Sequence, residues 1–396
     1  NPLDTSDSEL SKFAHVGNAS FVGLGEATHG TREFFQMKFR IFKYLVENHG
    51  FRIFGFESDF AESIFIDRYI TTGEGDLRTI MHEKMHFWCW RTEEVYELLE
   101  WMRHYNASRA RTDMVRFVGF DCQFLSYQSG LILQYLDKVS PEYRSHVKKT
   151  FEYISDISIR TLMDMESDLF DELLSEVETC FQYFSSHRSS FIEISGREHY
   201  IIHMQLIRTI AQTLELRYRY QGDNRGLYST ARDAFMAENA LWIPNLINDE
   251  RNVKVVLWAH NGHVANSSRF PSMGNLLKRQ LDYNYRIVGF TFYSGRFYAQ
   301  NGDSDQKELE IQSFNQPVNK NSVNYFFHMA ERKNFIFNFD QLDSRTDLFK
   351  YFQKWRPLIS IGLYFPWGSS YDHLFGSMYD VLIHYDETDA ARQLAE

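Results

Sequence analysis

The chain has 396 residues, a formal net charge of −11 and 43% hydrophobic residues, which is enough apolar material for a sizeable core. This acidic balance argues against nucleic acid or an anionic membrane surface as the main partner. No run of about 18 uninterrupted apolar residues occurs, so the sequence predicts no membrane-spanning helix.

Five short apolar runs predict buried strands, because nearly continuous apolar segments are typical of strands covered on both faces. They are Ser20–Gly25, Arg52–Glu57, Val115–Asp121, Val253–Ala259 and Arg286–Phe292. The first two runs are followed by amphipathic helical patterns at about 32–48 and 61–70. This alternation predicts an α/β fold, with a layered, mostly parallel or mixed β-sheet flanked by helices.

The stretch from about 124 to 249 carries apolar residues at helical spacing and no convincing strand pattern. We interpret 124–249 as a large helical insertion or cap, and 1–123 with 250–396 as the α/β catalytic core. The polar segment Asn301–Asn321 predicts a long loop. Candidates for further strands follow it, at Asn334–Phe339, Pro357–Gly362 and Asp380–Tyr385.

Cysteine usage indicates a reducing compartment. The three cysteines, Cys89, Cys122 and Cys180, show neither CxxC spacing nor a disulfide framework. We therefore expect a cytoplasmic protein. The chain starts at Asn1 rather than at Met, so a leader removed before this residue would instead make the protein secreted. The oligomeric state stays open.

Ionisable side chains follow four of the predicted strands. They are Glu26 and His29, Glu57 and Asp59, Asp121, and His260 and His263. In open α/β sheets, ligands bind in the crevice beyond the carboxyl ends of the strands. We therefore expect these groups to gather in one cleft, where carboxylates and imidazoles shift one another's pKa values toward those of working acids and bases.

Structural alternatives exist for several of these residues. Glu57 could form a buried ion pair, and Asp121 could accept hydrogen bonds from backbone amides. The HxxH spacing of His260 and His263 is a weaker signal than HExxH, and its position after the apolar run VVLWA strengthens it. Arg232 lies on a helical pattern, where it could form a surface salt bridge or orient a site residue.

Other histidines and the common catalytic motifs contribute less. His82 and His86 could line a pocket, although a packed aromatic helix edge is the better interpretation. No GxSxG, GxxxxGK[ST] or GxGxxG motif occurs, so neither an ordinary α/β-hydrolase serine nor a nucleotide cofactor is predicted.

Five sequence blocks together resemble the signature of the erythromycin esterase family. They are GEATHGTREFF (Gly25–Phe35), FGFESDF (Phe54–Phe60), VGFD (Val118–Asp121), RDAFMAEN (Arg232–Asn239) and WAHNGHV (Trp258–Val264). The resemblance implies hydrolysis of a macrolide lactone or a related ester, hence antibiotic resistance, without a serine nucleophile and without an obligatory metal. Members also carry a succinoglycan-biosynthesis label.

The resemblance also implies roles for individual residues. His29 matches the family's general base, and Glu26 and Glu57 match the acidic residues that position water. His260 and His263 match a histidine pair that stabilises the oxyanion or protonates the leaving alkoxide. We assign Asp59, Asp121 and Arg232 to substrate binding. Because His29 comes just before a predicted helix, the helix dipole favours the neutral ring that a base needs.

Two alternatives remain open at this point. Two Glu and three His residues are also what a Zn²⁺ or Mn²⁺ hydrolase would use, so a divalent metal at this cluster is the first. The second is a non-catalytic homologue that binds a small molecule. In both cases the expected partner is a small molecule, an ester or lactone in the preferred interpretation.

Overall fold

The structure is a computed structural model that describes residues 7–220, 225–247, 253–269, 271–315, 319–366 and 370–395. Residues 1–6, to which the prediction about a removed leader relates, lie outside the described residues. So do residues 248–250, where the predicted helical insertion ends and the α/β core resumes. The described strands are β1 Phe21–Leu24, β2 Ile53–Asp59, β3 Arg116–Asp121, β4 Val255–Trp258, β5 Tyr285–Asn301, β6 Leu309–Phe314, β7 Asn334–Asn338, β8 Arg356–Ile359, β9 Tyr364–Phe365, β10 Ser370–His373 and β11 Val381–Thr388.

The helices fall into three groups along the chain. The first comprises α1 Asp7–Leu10, α2 Arg32–His49, α3 Phe60–Thr72, α4 Leu77–Lys84 and α5 Glu93–Asn106. The second comprises α6 Gln128–Val139, α7 Pro141–Asp156, α8 Ile159–Met163, α9 Ser167–Ser186, α10 Arg188–Ser195, α11 Arg197–Arg219 and α12 Arg225–Trp242. The third comprises α13 Asn261–Val264, α14 Met273–Leu281, α15 Val323–His328, α16 Asp347–Phe352 and α17 Phe375–Met378. No α-helix in the described part of the chain is long and apolar enough to cross a membrane.

The main sheet has the strand order β3-β2-β4-β1-β5-β11-β7, and β6 and β9 pair with β5. Strand β1 pairs in parallel with both β4 and β5, and β11 pairs in parallel with β5. Strand β7 runs antiparallel to β11. This mixed sheet with flanking helices confirms the predicted fold class, and β1 to β5 confirm the five predicted strands.

The long loop or excursion predicted at Asn301–Asn321 is interrupted by a strand that the sequence pattern did not indicate. Strand β5 continues to Asn301, and β6 pairs with it antiparallel from Gly295↔Phe314 to Gln300↔Leu309. Leu309 and Ile311 of β6 are exposed, and only Phe314 packs against the core, with its ring centroid 5.9 Å from that of Phe292. Backbone hydrogen bonds to β5 therefore do much to hold β6, and its sequence lacks the continuous apolar run of a buried strand. Residues 316–318 lie outside the described residues.

Two of the three candidate strands belong to the main sheet. Strands β7 and β11 match the predictions at 334–339 and 380–385. Strand β8, at the predicted 357–362, pairs instead with β10 in a separate two-stranded sheet.

The chain divides into two compact units. The first comprises Asn1–Glu57, Ile66–Phe117 and Asn252–Glu396, and the second comprises Ser58–Phe65 and Val118–Arg251. The described part of 124–249 is helical, with α6 to α12 and no strand. The compact units differ from the predicted domains because the second one includes 58–65 and starts at Val118. The division into a catalytic core and a cap stays a prediction.

Aromatic residues dominate the contact between α2 and the sheet in the first unit. The Phe42 ring centroid lies 4.4 Å from that of Phe54 on β2, and the Phe35 centroid lies 4.9 Å from that of Trp258 on β4. All four side chains are buried. Fully burying an aromatic or aliphatic side chain of this size contributes about 1.5–3 kcal/mol. This packing fixes α2 against the strands that carry the candidate active site.

Candidate active site

The carboxyl ends of β1, β2 and β4 lie side by side in the first unit. The register places Leu24 of β1 and Phe56 of β2 on either side of Trp258 of β4. Glu26, Glu57 and His260 follow these three positions within two residues, so the sheet brings them to one edge. The structure thus brings together the five residues assigned to catalysis from the sequence; their catalytic roles stay a prediction.

Glu26 and His29 form a hydrogen-bonded pair in the loop between β1 and α2. Nδ1 of His29 lies 2.7 Å from Oε1 of Glu26. Because an ionised carboxylate only accepts, Nδ1 carries the hydrogen and Nε2 keeps its lone pair. Glu26 is fully buried, whereas 9% of the His29 side chain is exposed. This geometry leaves Nε2 as the ring nitrogen that can take a proton.

The second oxygen of Glu26 is also occupied. Nζ of Lys38, on the buried face of α2, lies 2.7 Å from Oε2, and Nε1 of Trp258 donates to the same oxygen at 2.8 Å. Lys38 is fully buried, and its Nζ lies 4.3 Å from the centroid of the Trp258 ring. Burial lowers the pKa of Lys38 to about 8, against the opposing effect of the Glu26 carboxylate. Glu26 is thus fixed on both oxygens.

Glu57 anchors the turn that follows β4. Its Oε2 accepts a hydrogen bond from the backbone N–H of His260 at 2.8 Å, and its Oε1 lies 3.3 Å from Nε2 of His263. The backbone oxygen of Glu57 accepts a hydrogen bond of 2.9 Å from the indole of Trp90. One carboxylate therefore holds both histidines of the HxxH turn.

The tautomer of His260 follows from its own backbone. Its Nδ1 accepts a hydrogen bond from the N–H of Gly262 at 3.1 Å, so Nε2 carries the hydrogen in the neutral ring. Burial lowers the pKa of His260 well below 6.5, and His29 and His263 add to the effect. The His260 ring centroid lies 5.1 Å from that of His29. His260 is thus a neutral donor beside the candidate base.

Two close approaches fix the loops around these side chains. A Cβ atom at Gly25 would collide with the side chain of Asn261, and one at Gly30 would collide with the backbone of Tyr298. Asn261 in turn bonds both backbone groups of Phe290 on β5, at 2.7 and 3.1 Å. Glycine is therefore required where the Glu26 loop passes the neighbouring segments.

The three residues assigned to substrate binding belong to the second unit. Asp121 is fully buried, and its Oδ2 lies 2.6 Å from the guanidinium of Arg232. Asp59 accepts hydrogen bonds from the backbone of Ala61 at 3.0 Å and from Gln128 at 2.9 Å. Burial raises the pKa of Asp59 well above its usual 3.8, and the negative charge of the neighbouring Glu62 adds to this effect. Their assignment to substrate binding stays a prediction.

Four side chains close to the five candidate catalytic residues were not identified from the sequence. They are Lys38, Trp90, Trp258 and Ser360. A signal for Lys38 was present, because it lies four residues from Phe34 and Phe42 on the apolar stripe of α2, where a lysine needs a carboxylate partner.

Trp90 and Ser360 carry no comparable sequence signal. The ring centroid of Trp90, in the short Trp88–Trp90 turn, lies 5.7 Å from that of His29 in an edge-on arrangement. Oγ of Ser360 lies 3.5 Å from Nε2 of His260. Only the fold brings these distant segments to the strand ends.

Among the described residues, no group of three or more His, Cys, Asp or Glu side chains has an arrangement that could hold a metal ion.

Cys89 is a buried thiol close to the candidate catalytic residues. Burial raises the pKa of this thiol well above 9.0, and the charges of Glu26 and Glu57 add to the effect. The protonated thiol is a poor nucleophile.

Comparisons with known proteins agree on one family. A family model for erythromycin esterase matches residues 46–388, a range that begins after His29 and includes Glu57, His260 and His263. Erythromycin esterase type II of Escherichia coli is 26% identical over 320 residues, covering 74% of this chain and 73% of that protein.

Two solved structures share the fold. One, of a protein from Bacillus cereus, superimposes with a TM-score of 0.86 at 23% identity, covering 100% of this chain and 96% of that one. The other is a mutant of the erythromycin esterase EreC in its open conformation, with a TM-score of 0.75 at 16% identity, covering 100% of this chain and 98% of that one. At these identities, both comparisons show the fold alone.

Proposed function

The chain belongs to the erythromycin esterase family and is a hydrolase, and on that premise we propose that it hydrolyses carboxylic esters by attack of a water molecule that His29 activates. The observation that carries the proposal is the Glu26–His29 pair, in which Nδ1 is engaged at 2.7 Å and Nε2 is left to accept a proton. A base held in this way removes a proton from water as the oxygen attacks the ester carbonyl carbon.

Glu26 acts through His29. Its carboxylate fixes the tautomer and stabilises the imidazolium that forms when Nε2 takes the proton. Lys38 and Trp258 hold the carboxylate and offset the cost of burying it.

His260 supplies a donor for the negative charge that develops on the carbonyl oxygen. Its Nε2–H is available because Nδ1 accepts the Gly262 N–H, and its lowered pKa keeps it neutral at physiological pH. A fixed donor directed at a developing oxyanion is worth about 2.7–4 kcal/mol in other hydrolases. Glu57 fixes the backbone of His260, so this donor needs little reorganisation during the reaction.

His263 is the candidate acid for the leaving alkoxide. The Glu57 carboxylate lies 3.3 Å from Nε2 of His263 and orients its ring. Proton transfer from His263 to the alkoxide oxygen would complete the cleavage of the ester bond, and the acid and alcohol products would then leave. The overall reaction consumes one water molecule and forms no covalent enzyme intermediate.

Macrolide lactones are one substrate class within this proposal. The name of the E. coli relative, erythromycin esterase, supports that class for the relative at 26% identity. For this chain we propose a lactone or related ester, with macrolides as the first compounds to test. The substrate is then a small molecule.

The decisive experiment compares wild-type protein with His29→Ala on a panel of macrolide lactones and aryl esters, with products followed by mass spectrometry. We expect His29→Ala to lose about 10²–10⁴-fold in kcat/KM while staying folded. His82→Ala is a matched control, because His82 lies on α4 and approaches the backbone of Ala395 instead of the cluster. Wild-type rates in a folded His29→Ala protein would overturn the proposed base.

A second arm of the same experiment tests for a metal. The proposal passes no step through a metal ion, so protein purified without added metal should turn over and should keep its activity after chelation. Stoichiometric bound metal together with chelator-sensitive turnover would favour a metal-dependent hydrolase that uses the same Glu and His residues. Tight binding without turnover on every compound would favour a non-catalytic homologue.

A further inference from the structure

A cavity lies in the first unit, among α15, β7, α16 and β8. Its volume is about 490 Å³, and none of the five candidate catalytic residues lines it. Half of the residues that line it are aromatic, including Phe326, Phe327, Phe337 and Tyr351. The Phe326 and Tyr351 rings stack at 4.4 Å, and the Phe327 and Phe337 centroids lie 5.4 Å apart. Cavities of about 300–1,000 Å³ suit small organic ligands.

One arginine in this wall, Arg356, has a buried guanidinium nitrogen that makes no hydrogen bond to the described residues. Arg356 packs its Cζ 4.2 Å from the centroid of the Tyr351 ring. Its Nε is buried and has no hydrogen-bond partner among the described residues. By contrast, Arg116 and Arg232 place their guanidinium groups 2.6 Å from a carboxylate oxygen. A buried donor without a partner is costly, so an anionic ligand at Arg356 would stabilise the site.

The charge of the lining indicates the same ligand class. Lys320 and Arg356 are the charged side chains among the described lining residues, and no carboxylate is present there. The whole chain has a formal net charge of −11, so this cationic lining differs from the molecule as a whole. A cleft of one sign with low-dielectric walls concentrates ions of the opposite sign. Exposed Lys320 would attract the anion, and Arg356 would bind it.

We propose that this cavity is a binding site for a small organic carboxylate with a flat, apolar body. The carboxylate pairs with Arg356, and the body packs among Phe326, Phe327 and Phe337. The planar guanidinium suits a carboxylate because two parallel N–H donors meet two oxygens. The site is separate from the ester-hydrolysis residues and does not depend on the proposed function.

Isothermal titration with 2-naphthoate tests the site. Wild-type protein should bind 2-naphthoate saturably and should bind the uncharged 2-naphthamide at least about tenfold more weakly, because a hydrogen bond to a charged group is worth about 1.5–3 kcal/mol. Arg356→Gln should weaken 2-naphthoate binding about 10-fold or more and should leave ester hydrolysis unchanged. Arg279→Gln, which removes an exposed arginine on α14, should bind like wild type.

Two further variants locate the bound acid and test the geometry of its cation. His29→Ala should bind 2-naphthoate with wild-type affinity, whereas loss of binding would place the acid in the catalytic cluster and overturn the proposal. Arg356→Lys keeps the charge but lacks the planar fork, so it should bind with intermediate affinity. Circular dichroism melts would establish that each variant is folded. Absence of saturable binding to wild type, or equal affinity of folded Arg356→Gln, would also overturn it.

Discussion

Two fully buried carboxylates, Glu26 and Asp121, have similar surroundings but different expected effects on catalysis and on stability. Glu26, in the first unit, and Asp121, in the second, each stand at or just beyond the carboxyl end of a buried strand. Both pair with a cation, Lys38 at 2.7 Å and Arg232 at 2.6 Å respectively. Strand position, burial and charge pairing therefore do not separate them.

The difference lies in the remaining partners. Glu26 uses its other oxygen to hold His29, whose second ring nitrogen is left for chemistry. Asp121 uses its oxygens on the N–H of Cys122 at 2.8 Å and the side chain of Gln123 at 2.7 Å, which are structural donors. A buried carboxylate thus becomes part of a catalytic device when it orients a titratable group. For Asp121 these donors favour stabilisation of the second unit over the substrate binding that the sequence suggested, and we expect Glu26 to support turnover.

The largest expected effect tests the structural side of this contrast. Asp121→Ala should lower the free energy of unfolding by about 3–5 kcal/mol, because it leaves Arg232 partly buried without its carboxylate. The kcat/KM per folded molecule should stay within about twofold of wild type, a change of about 0.4 kcal/mol. Denaturant unfolding and ester hydrolysis provide the measurements.

An exposed ion pair of the second unit, Arg208–Glu238, gives the matched control for Asp121→Ala. Arg208 lies 2.6 Å from Glu238, and both side chains are about a third exposed or more, at 35% and 46%. Arg208→Met should therefore cost less than about 1 kcal/mol. If folded Asp121→Ala lost activity at unchanged stability, Asp121 would bind substrate as the sequence suggested.

Lys38→Met tests the catalytic side. Removing the ammonium leaves Glu26 buried without its cation, so the protein should lose about 3 kcal/mol of stability. Without the ammonium, the Glu26–His29 pair loses the cation that opposes proton binding, so the acid limb of the kcat/KM profile should move to higher pH. At neutral pH we expect about a tenfold loss in kcat/KM, or about 1.4 kcal/mol. Lys38→Arg, which keeps the charge, should restore the position of the limb.

A shift in stability alone, with an unmoved pH profile, would make Lys38 merely structural. That outcome would erase the distinction between the Lys38–Glu26 pair and the Arg232–Asp121 pair.

A histidine of the first unit outside the cluster provides a pH-dependent comparison. Burial lowers the pKa of His373 to about 4, with Arg269 adding to the effect. Its contribution to stability is therefore fully present above the unfolded pKa of about 6.5 and is lost as the pH falls toward and through 4. His373→Phe should reduce the stability difference between about pH 7 and pH 5 by about 1–2 kcal/mol, as measured by denaturant unfolding.

Tyr379→Phe is the control for that measurement. The Tyr379 hydroxyl lies 3.4 Å from Nδ1 of His373. The substitution therefore removes this contact and keeps the histidine ring that titrates. The variant should keep the wild-type dependence on pH. A wild-type dependence in His373→Phe would mean that other groups control acid stability.

The smallest expected effect concerns Ser360. Its Oγ lies 3.5 Å from Nε2 of His260, a spacing close to that of a serine–histidine pair. That nitrogen carries a hydrogen because Nδ1 accepts from Gly262, so it cannot activate the hydroxyl. Ser360→Ala should keep kcat/KM within about threefold of wild type, or about 0.6 kcal/mol. A loss of about 10³-fold or more would identify Ser360 as a nucleophile.

The sequence by itself determined the sheet and the positions of the candidate catalytic residues. The buried strands are short apolar runs, so β1 to β5 could be found from hydrophobicity alone. Glu57 is the last residue of such a run, and Glu26 and His260 directly follow one; a parallel sheet must gather the carboxyl ends of its strands. Strand β6 could not be found, because Leu309 and Ile311 are exposed and only Phe314 packs against the core, so the strand depends largely on backbone pairing with β5.

Only the tertiary structure decided which polar groups meet. The sequence placed Glu26 and Asp121 in equivalent positions, and the fold gave one a histidine and the other backbone and amide donors. Trp90 and Ser360 come from distant segments, so no local pattern could assign them to the cluster. Hydrophobic periodicity is a local property of the chain, whereas a hydrogen bond between remote side chains exists only once the packed strands and helices have fixed their distances.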